Sequence, residues 1–93
     1  MNSDAILHLT LKQLEIFLKC YQARNYTYVA ERYHYTPSTI SKTIHAMEEI
    51  LGYPLFSRTY HELVPTAAAD VLAREWDGLF ALIMRGLEQA EAF

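Results

Sequence analysis

Ninety-three residues, 52% of them apolar and 20% charged, are enough for one globular domain with a single core and little surplus area to bury. The formal net charge of −3 argues, at first sight, against a nucleic-acid partner, an objection that the distribution of the charge weakens. The one cysteine, Cys20, excludes an internal disulfide and a paired-cysteine metal motif and points to a reducing, cytoplasmic setting.

The start of the chain, Met1 to Asp4, is polar and carries no basic stretch ahead of an apolar run, so no secretory leader is read there. No apolar stretch is long enough to span a bilayer, and no membrane partner is expected. The charge is unevenly spread. From residue 67 onward Asp70, Glu75, Asp77, Glu88 and Glu91 stand against only Arg74 and Arg85, which accounts for the whole deficit. The residues before them are neutral overall, with Arg24, Arg32, Lys42 and Arg58 available to face phosphates.

Thr10 followed three residues later by Gln13 is a capping box, and Leu11, Leu14, Phe17, Leu18 and Tyr21 recur at helical spacing behind it. A first helix is predicted from about Leu11 to Arg24, with Asn25 in the turn and Thr27 capping a short second helix that ends near Tyr33. Val29, Ala30 and Tyr33 form its expected inner face. Cys20 falls beside the core stripe of the first helix, where a small buried residue is expected.

Thr36 followed by Pro37 predicts a third helix, because the threonine hydroxyl can accept a free backbone N–H and proline at the first position loses no hydrogen bond. Ile40, Ile44, Met47 and Leu51 make its buried stripe, which leaves Ser38, Ser41, Lys42 and His45 largely off it. Gly52 supplies a left-handed stop and Pro54 prevents continuation. A short helix, a tight turn and a helix opening on small hydroxylated and then basic residues are how a helix-turn-helix presents itself to a DNA major groove.

Leu55 to Arg58 and Leu63 to Pro65 are predicted as the strands of a small hairpin joined by Thr59 to Glu62. Thr66 caps a final helix able to continue to the end of the chain. On it Ala69, Leu72, Trp76, Leu79, Ile83, Gly86, Ala90 and Phe93 alternate spacings of three and four, a heptad seam flanked by Phe80, Leu82 and Leu87. So wide an apolar surface exposes a large patch in a monomer, and a homodimer through Leu72, Trp76, Leu79, Ile83 and Leu87 is expected.

These segments together resemble the N-terminal DNA-binding domain of the LysR-type transcriptional regulators, over essentially everything from Leu9 to Phe93. Leu14 through Phe17 resembles the family's first-helix core. Tyr26-Thr27 with Ala30-Glu31-Arg32 resembles its F-T-x-A-A-E-R segment, and Thr36 through Lys42 its recognition-helix start. Met47-Glu48-Glu49, Leu51-Gly52 and Leu55-Phe56-Ser57-Arg58 resemble L-E-x-x-L-G-x-x-L-F-x-R. The chain departs from the family at Val29, at Tyr28, Tyr33 and Tyr35, and at the wing, where Tyr60, His61 and Glu62 replace arginines and a glycine.

The resemblance implies a mainly α fold, a winged helix-turn-helix of three helices and a β-hairpin wing over residues 1–66, then a long dimerisation helix over 67–93. It also implies a larger effector-binding domain beyond these residues, through which alone a small-molecule effector would act, and a tetramer as an alternative to the dimer in the longer protein.

The expected partner is double-stranded DNA, contacted by Thr36, Pro37, Ser38, Thr39, Ser41, Lys42, His45 and Arg58. Small hydroxyls let the helix backbone approach the groove, Lys42 can reach guanine or phosphate, Pro37 can meet a thymine methyl, and Arg58 sits at the wing. The competing reading of that helix face is an ordinary solvated surface. Arg32 is equally suited to DNA or to pairing with Glu48 or Glu49. His8, His34, His45 and His61 lack ligand spacing, and no phosphate loop, paired-carboxylate site or nucleophile elbow is present, so no metal, cofactor or enzymatic activity is expected. The alternative function is a winged-helix protein-interaction module without DNA binding, in keeping with the acidic balance.

Overall fold

In the computed structural model, which describes residues 3–59 and 62–93 and their side chains apart from those of Ser3, Arg58 and Thr59, local capping chemistry sets most element boundaries. A four-residue turn of helix, α1 (Ser3–Ile6), precedes the expected elements and lies against the third long helix. Helix α2 (Leu11–Ala23) opens on the complete capping box: the Gln13 amide donates to Thr10 Oγ1 at 3.1 Å and the Thr10 amide to Gln13 Oε1 at 3.0 Å. It ends one residue earlier than expected, with Arg24 turned left-handed and its N–H on the Cys20 carbonyl at 2.8 Å.

Helix α3 (Tyr26–Tyr33) begins earlier than the sequence reading places it. Asn25 caps it, accepting from the Tyr28 amide at 3.0 Å, so Thr27 lies inside the first turn and caps nothing. The earlier start puts Tyr26 into the core, where its ring stands edge-on to Phe56 at 6.4 Å, while Tyr33 is only half buried.

Helix α4 (Pro37–Leu51) has Thr36 as its cap and Pro37 in its first turn, as expected. Ile40, Ile44, Met47 and Leu51 are all buried along one side. Gly52 closes the helix at φ +87°, a conformation costly for a residue bearing Cβ, and returns its N–H to the Glu48 carbonyl at 2.8 Å.

Strands β1 (Phe56–Thr59) and β2 (Glu62–Pro65) pair antiparallel, Phe56 opposite Pro65 and Arg58 opposite Leu63. Tyr60 and His61, between them, lie outside the described residues, as does the side chain of Arg58. Thr66 then binds the wing's base to the next helix. Its hydroxyl donates to the Pro54 carbonyl at 2.9 Å and accepts from the Ala69 amide at 3.2 Å.

The C-terminal helical region runs from Ala67 to Glu91, but as two segments, α5 (Ala67–Glu75) and α6 (Leu79–Glu91). The single uninterrupted helix allowed by the heptad pattern is broken at Trp76 to Gly78, with Gly78 at φ +79°. That backbone conformation is the physical reason, since a left-handed residue cannot continue a right-handed ladder.

The core joins α2, α3, α4, the wing and α5. Ile16, Phe17 and Cys20 pack with Val29 and Ala30, the α4 stripe, Leu55, Leu63 and Ala69. Phe17 is its aromatic centre, 5.8 Å from Phe56 and 5.8 Å from Trp76, the latter edge-on. No residue of α6 is buried, and Leu82, Met84 and Leu87 are each more than half exposed.

Candidate nucleic-acid interface

The exposed end of α4 is built from its own cap. The Thr39 amide donates to Thr36 Oγ1 at 3.1 Å, and the two threonine hydroxyls share a further bond at 3.0 Å. Thr43 donates to the Thr39 carbonyl at 2.9 Å, so the first two turns are tied by their own hydroxyls. Thr36, Pro37, Ser38 and Thr39 are exposed, with Lys42 and His45 following on the solvent side and Ser41 half-buried at its edge. Among the described residues no side-chain hydrogen bond or ion pair engages Ser38, Ser41 or Lys42. Their donors are unspent. The positive end of the helix dipole at the start of α4 favours a phosphate nearby.

His45 differs from its neighbours on this face. Its Nδ1 lies 3.0 Å from Glu48 Oε1, with the imidazole side chain 71% exposed. Glu48 spends its other oxygen on the wing, accepting the Leu55 amide at 2.6 Å and the Phe56 amide at 3.4 Å. One carboxylate therefore ties α4 to the start of the hairpin. Sequence reasoning assigned Glu48 to a motif and offered it or Glu49 as a partner for Arg32; among the described residues neither pairs with Arg32, and Glu48 meets the His45 ring instead. The usable signal was a glutamate late in a helix, a helix stop four residues on, and two amides of a following strand left to satisfy.

Arg58 stands in β1 opposite Leu63, on the same wing whose base Glu48 holds. Arg32 is exposed near the end of α3, beside Tyr28 and Asn25 in an open groove between α2 and α3.

The residues expected to join two subunits separate into two groups. Leu72 and Trp76 are half-buried against the domain's own core. Leu79 and Ile83 on α6 are half-buried without belonging to that core, and Leu87 is 57% exposed.

Cys20 is fully buried, and burial pushes its thiol from an ordinary value of 9.0 up to about 12, so it is an inert core residue. Among the described residues no group of three His, Cys, Asp or Glu side chains is placed to hold a metal ion. No described helix is long and apolar enough to cross a membrane.

Three helices with an exposed, hydroxyl-lined helix end, and a two-stranded wing braced on the same helix, define a winged helix-turn-helix. The chain belongs to the LysR family: the family model for bacterial regulatory helix-turn-helix proteins of the lysR family matches residues 11–70. It is 38% identical over 84 residues to the HTH-type transcriptional regulator PhcA of Ralstonia nicotianae, covering 87% of this chain and 24% of that one. With the malonate utilization transcriptional regulator of Klebsiella pneumoniae it shares 28% identity over 95% of this chain and 29% of that one. The chain thus spans about a quarter of the length of these relatives, which are transcriptional regulators and not enzymes. Among solved structures, a CbnR_DBD–DNA complex superposes with a TM-score of 0.83 at 25% identity, over 90% of this chain and 97% of that one.

Proposed function

We propose that these residues form the sequence-specific DNA-binding part of a LysR-type transcription regulator. It acts as a dimer whose two α4 helices enter successive major grooves of an interrupted inverted repeat. The observation that carries the reading is the unengaged set of donors on the exposed side of α4, Ser38, Ser41 and Lys42, beside the capped tip formed by Thr36, Pro37 and Thr39. His45 flanks them, and Arg58 of the wing is assigned to phosphate or minor groove. The solved complex of CbnR_DBD with DNA supports the partner.

Support for the dimer comes from α6, which buries no residue of its own while carrying Leu79 and Ile83 on the heptad seam and Leu87 beside it. Leu72 and Trp76 continue the seam onto the core. Residues 1–66 serve as the DNA-binding unit and 67–93 as the linker through which subunits join. The site of action is the cytoplasmic nucleoid, a tetramer is the higher assembly of the longer regulator, and small-molecule control belongs to a further domain.

The test is a fluorescence titration of duplexes that the chain selects from a random pool, at two salt concentrations. Binding that falls steeply with salt and prefers the selected site is the expected result. A Ser41→Ala, Lys42→Ala variant is expected to lose about 1–3 kcal/mol per good base contact without unfolding, since neither residue lies on the buried stripe. Unchanged affinity and site preference in that variant remove these residues from the interface. No DNA binding by the unmodified chain favours instead a protein-interaction module, the reading that the net charge of −3 supports.

A further inference from the structure

Lys12, exposed in the first turn of α2, carries its ammonium 4.9 Å from the centre of the Tyr33 ring and 5.4 Å from that of Tyr35. Both distances are within cation–π range. Tyr33 ends α3, and Tyr35 stands in the turn immediately before Thr36, the cap of α4. A residue 25 or more positions earlier in the chain than Thr39 is thereby held at the turn of the helix-turn-helix, beside the α4 tip.

The platform is fixed as well as placed. Tyr33 is half-buried, and its phenol is pushed up to about 12 by burial, then by its hydrogen bond to Glu15 and that carboxylate's charge. Among the described residues no ion pair reaches Lys12. Two aromatic faces limit the rotamers of a long side chain without neutralising it. A helix tip occupying a major groove about 12 Å wide has a phosphate rim on either side, so a cation held beside that tip stands at the rim.

We propose that Lys12, cradled by Tyr33 and Tyr35, is a phosphate-binding residue that grips the DNA strand flanking the groove entered by α4. The contact rests on the DNA-binding reading above and adds to it a grip from outside the helix-turn-helix itself. Because the side chain is ordered before binding, it fixes the register of α4 on the duplex at little further entropic cost.

The experiment measures binding of the complete chain to its selected duplex across a salt series, for the unmodified protein and for Lys12→Gln, Lys12→Arg and Lys19→Gln. Lys19 is an exposed lysine on the same helix, about 10 Å further along its axis, with no cation–π contact among the described residues. Lys12→Gln is expected to lower the slope of log affinity against log salt by about one unit, Lys12→Arg to restore it, and Lys19→Gln to leave it nearly unchanged. An unchanged slope in Lys12→Gln, with site preference intact, overturns the contact and leaves DNA binding standing. Equal losses in Lys12→Gln and Lys19→Gln overturn it too, because the effect is then diffuse charge. A large drop in melting temperature with no change in slope makes Lys12 an internal brace only. Absence of salt-dependent binding by the unmodified chain removes the DNA-binding reading itself.

Discussion

Glu48 Oε2 lies 2.6 Å from the Leu55 amide, so a carboxylate of α4 caps the strand that begins the wing. Leu55 is fully buried and Glu48 mostly so, which places the bond where water does not readily replace it. The other oxygen lies 3.0 Å from His45 Nδ1, so the same carboxylate meets both the wing and the exposed side of α4.

Removing that carboxylate therefore has a defined cost. Glu48→Ala leaves the Leu55 amide without its acceptor and is expected to lower stability in urea by about 1–3 kcal/mol. Glu48→Gln keeps a carbonyl oxygen for the amide and loses distinctly less. Equal losses for the two variants would mean that charge, and not acceptance of the wing amides, is what Glu48 contributes.

At the wing, Arg58→Ala is expected to weaken binding evenly across sequences and to reduce the salt slope by about one unit, the mark of one lost phosphate contact. Competition titrations with mutated sites check this. Collapse of discrimination among sites would instead assign Arg58 to base reading.

On the seam, Leu79→Asp with Ile83→Asp places two carboxylates where a second subunit is expected. Neither side chain belongs to the domain's core, so the domain is expected to stay folded while the dimer dissociates. Each buried apolar side chain lost from such an interface removes roughly 1.5–3 kcal/mol. Sedimentation velocity should give a monomer, with affinity for a full inverted repeat much reduced. An unmodified chain that is itself monomeric at high micromolar concentration refutes the dimer.

Cys20 predicts an alkaline limit. Its folded-state value of about 12 lies above the ordinary 9.0, so the unfolded chain releases the proton first as pH rises. Stability from this group is complete below pH 9 and declines towards 12, at up to about 1.4 kcal/mol per pH unit. Tyr33, raised from 10.0 to about 12, acts in the same direction from pH 10. Urea titrations of Cys20→Ala should be flatter between pH 9 and 10 than those of the unmodified chain, and a thiol reagent should label Cys20 only on unfolding. Rapid labelling of the native domain at pH 8 contradicts this account.

Features governed by a few adjacent residues were legible in the sequence. Thr10 with Gln13, Thr36 with Pro37, Gly52 and Thr66 each mark the boundary they were read to mark, because a cap depends on side-chain chemistry within three or four residues. The choice of Asn25 over Thr27 was not legible: both can accept a backbone N–H, and the decision comes from burying Tyr26 against Phe56, thirty residues away. The interruption at Gly78 was hidden for a related reason, since spacings of three and four run through it unbroken. The face of α4 could be read from its periodicity, whereas the Glu48 brace depends on where the chain returns after Gly52.

The bend at Trp76 to Gly78 bears on a quantity that no single subunit contains. Helix α5 is anchored to the core through Ala69, Leu72 and Trp76, and the Tyr21 hydroxyl holds Asp70 at 2.7 Å, whereas α6 has no buried residue and is the segment proposed above to meet a second chain. Three residues thus stand between α5, which is tied to the core, and α6. In a two-fold dimer their angle sets how far apart the two α4 helices fall and how each is tilted, and with that the number of base pairs separating the half-sites. A substitution such as Gly78→Ala, which meets no neighbouring atom within 4 Å but is strained at φ +79°, is expected to act through that angle as a change of operator spacing.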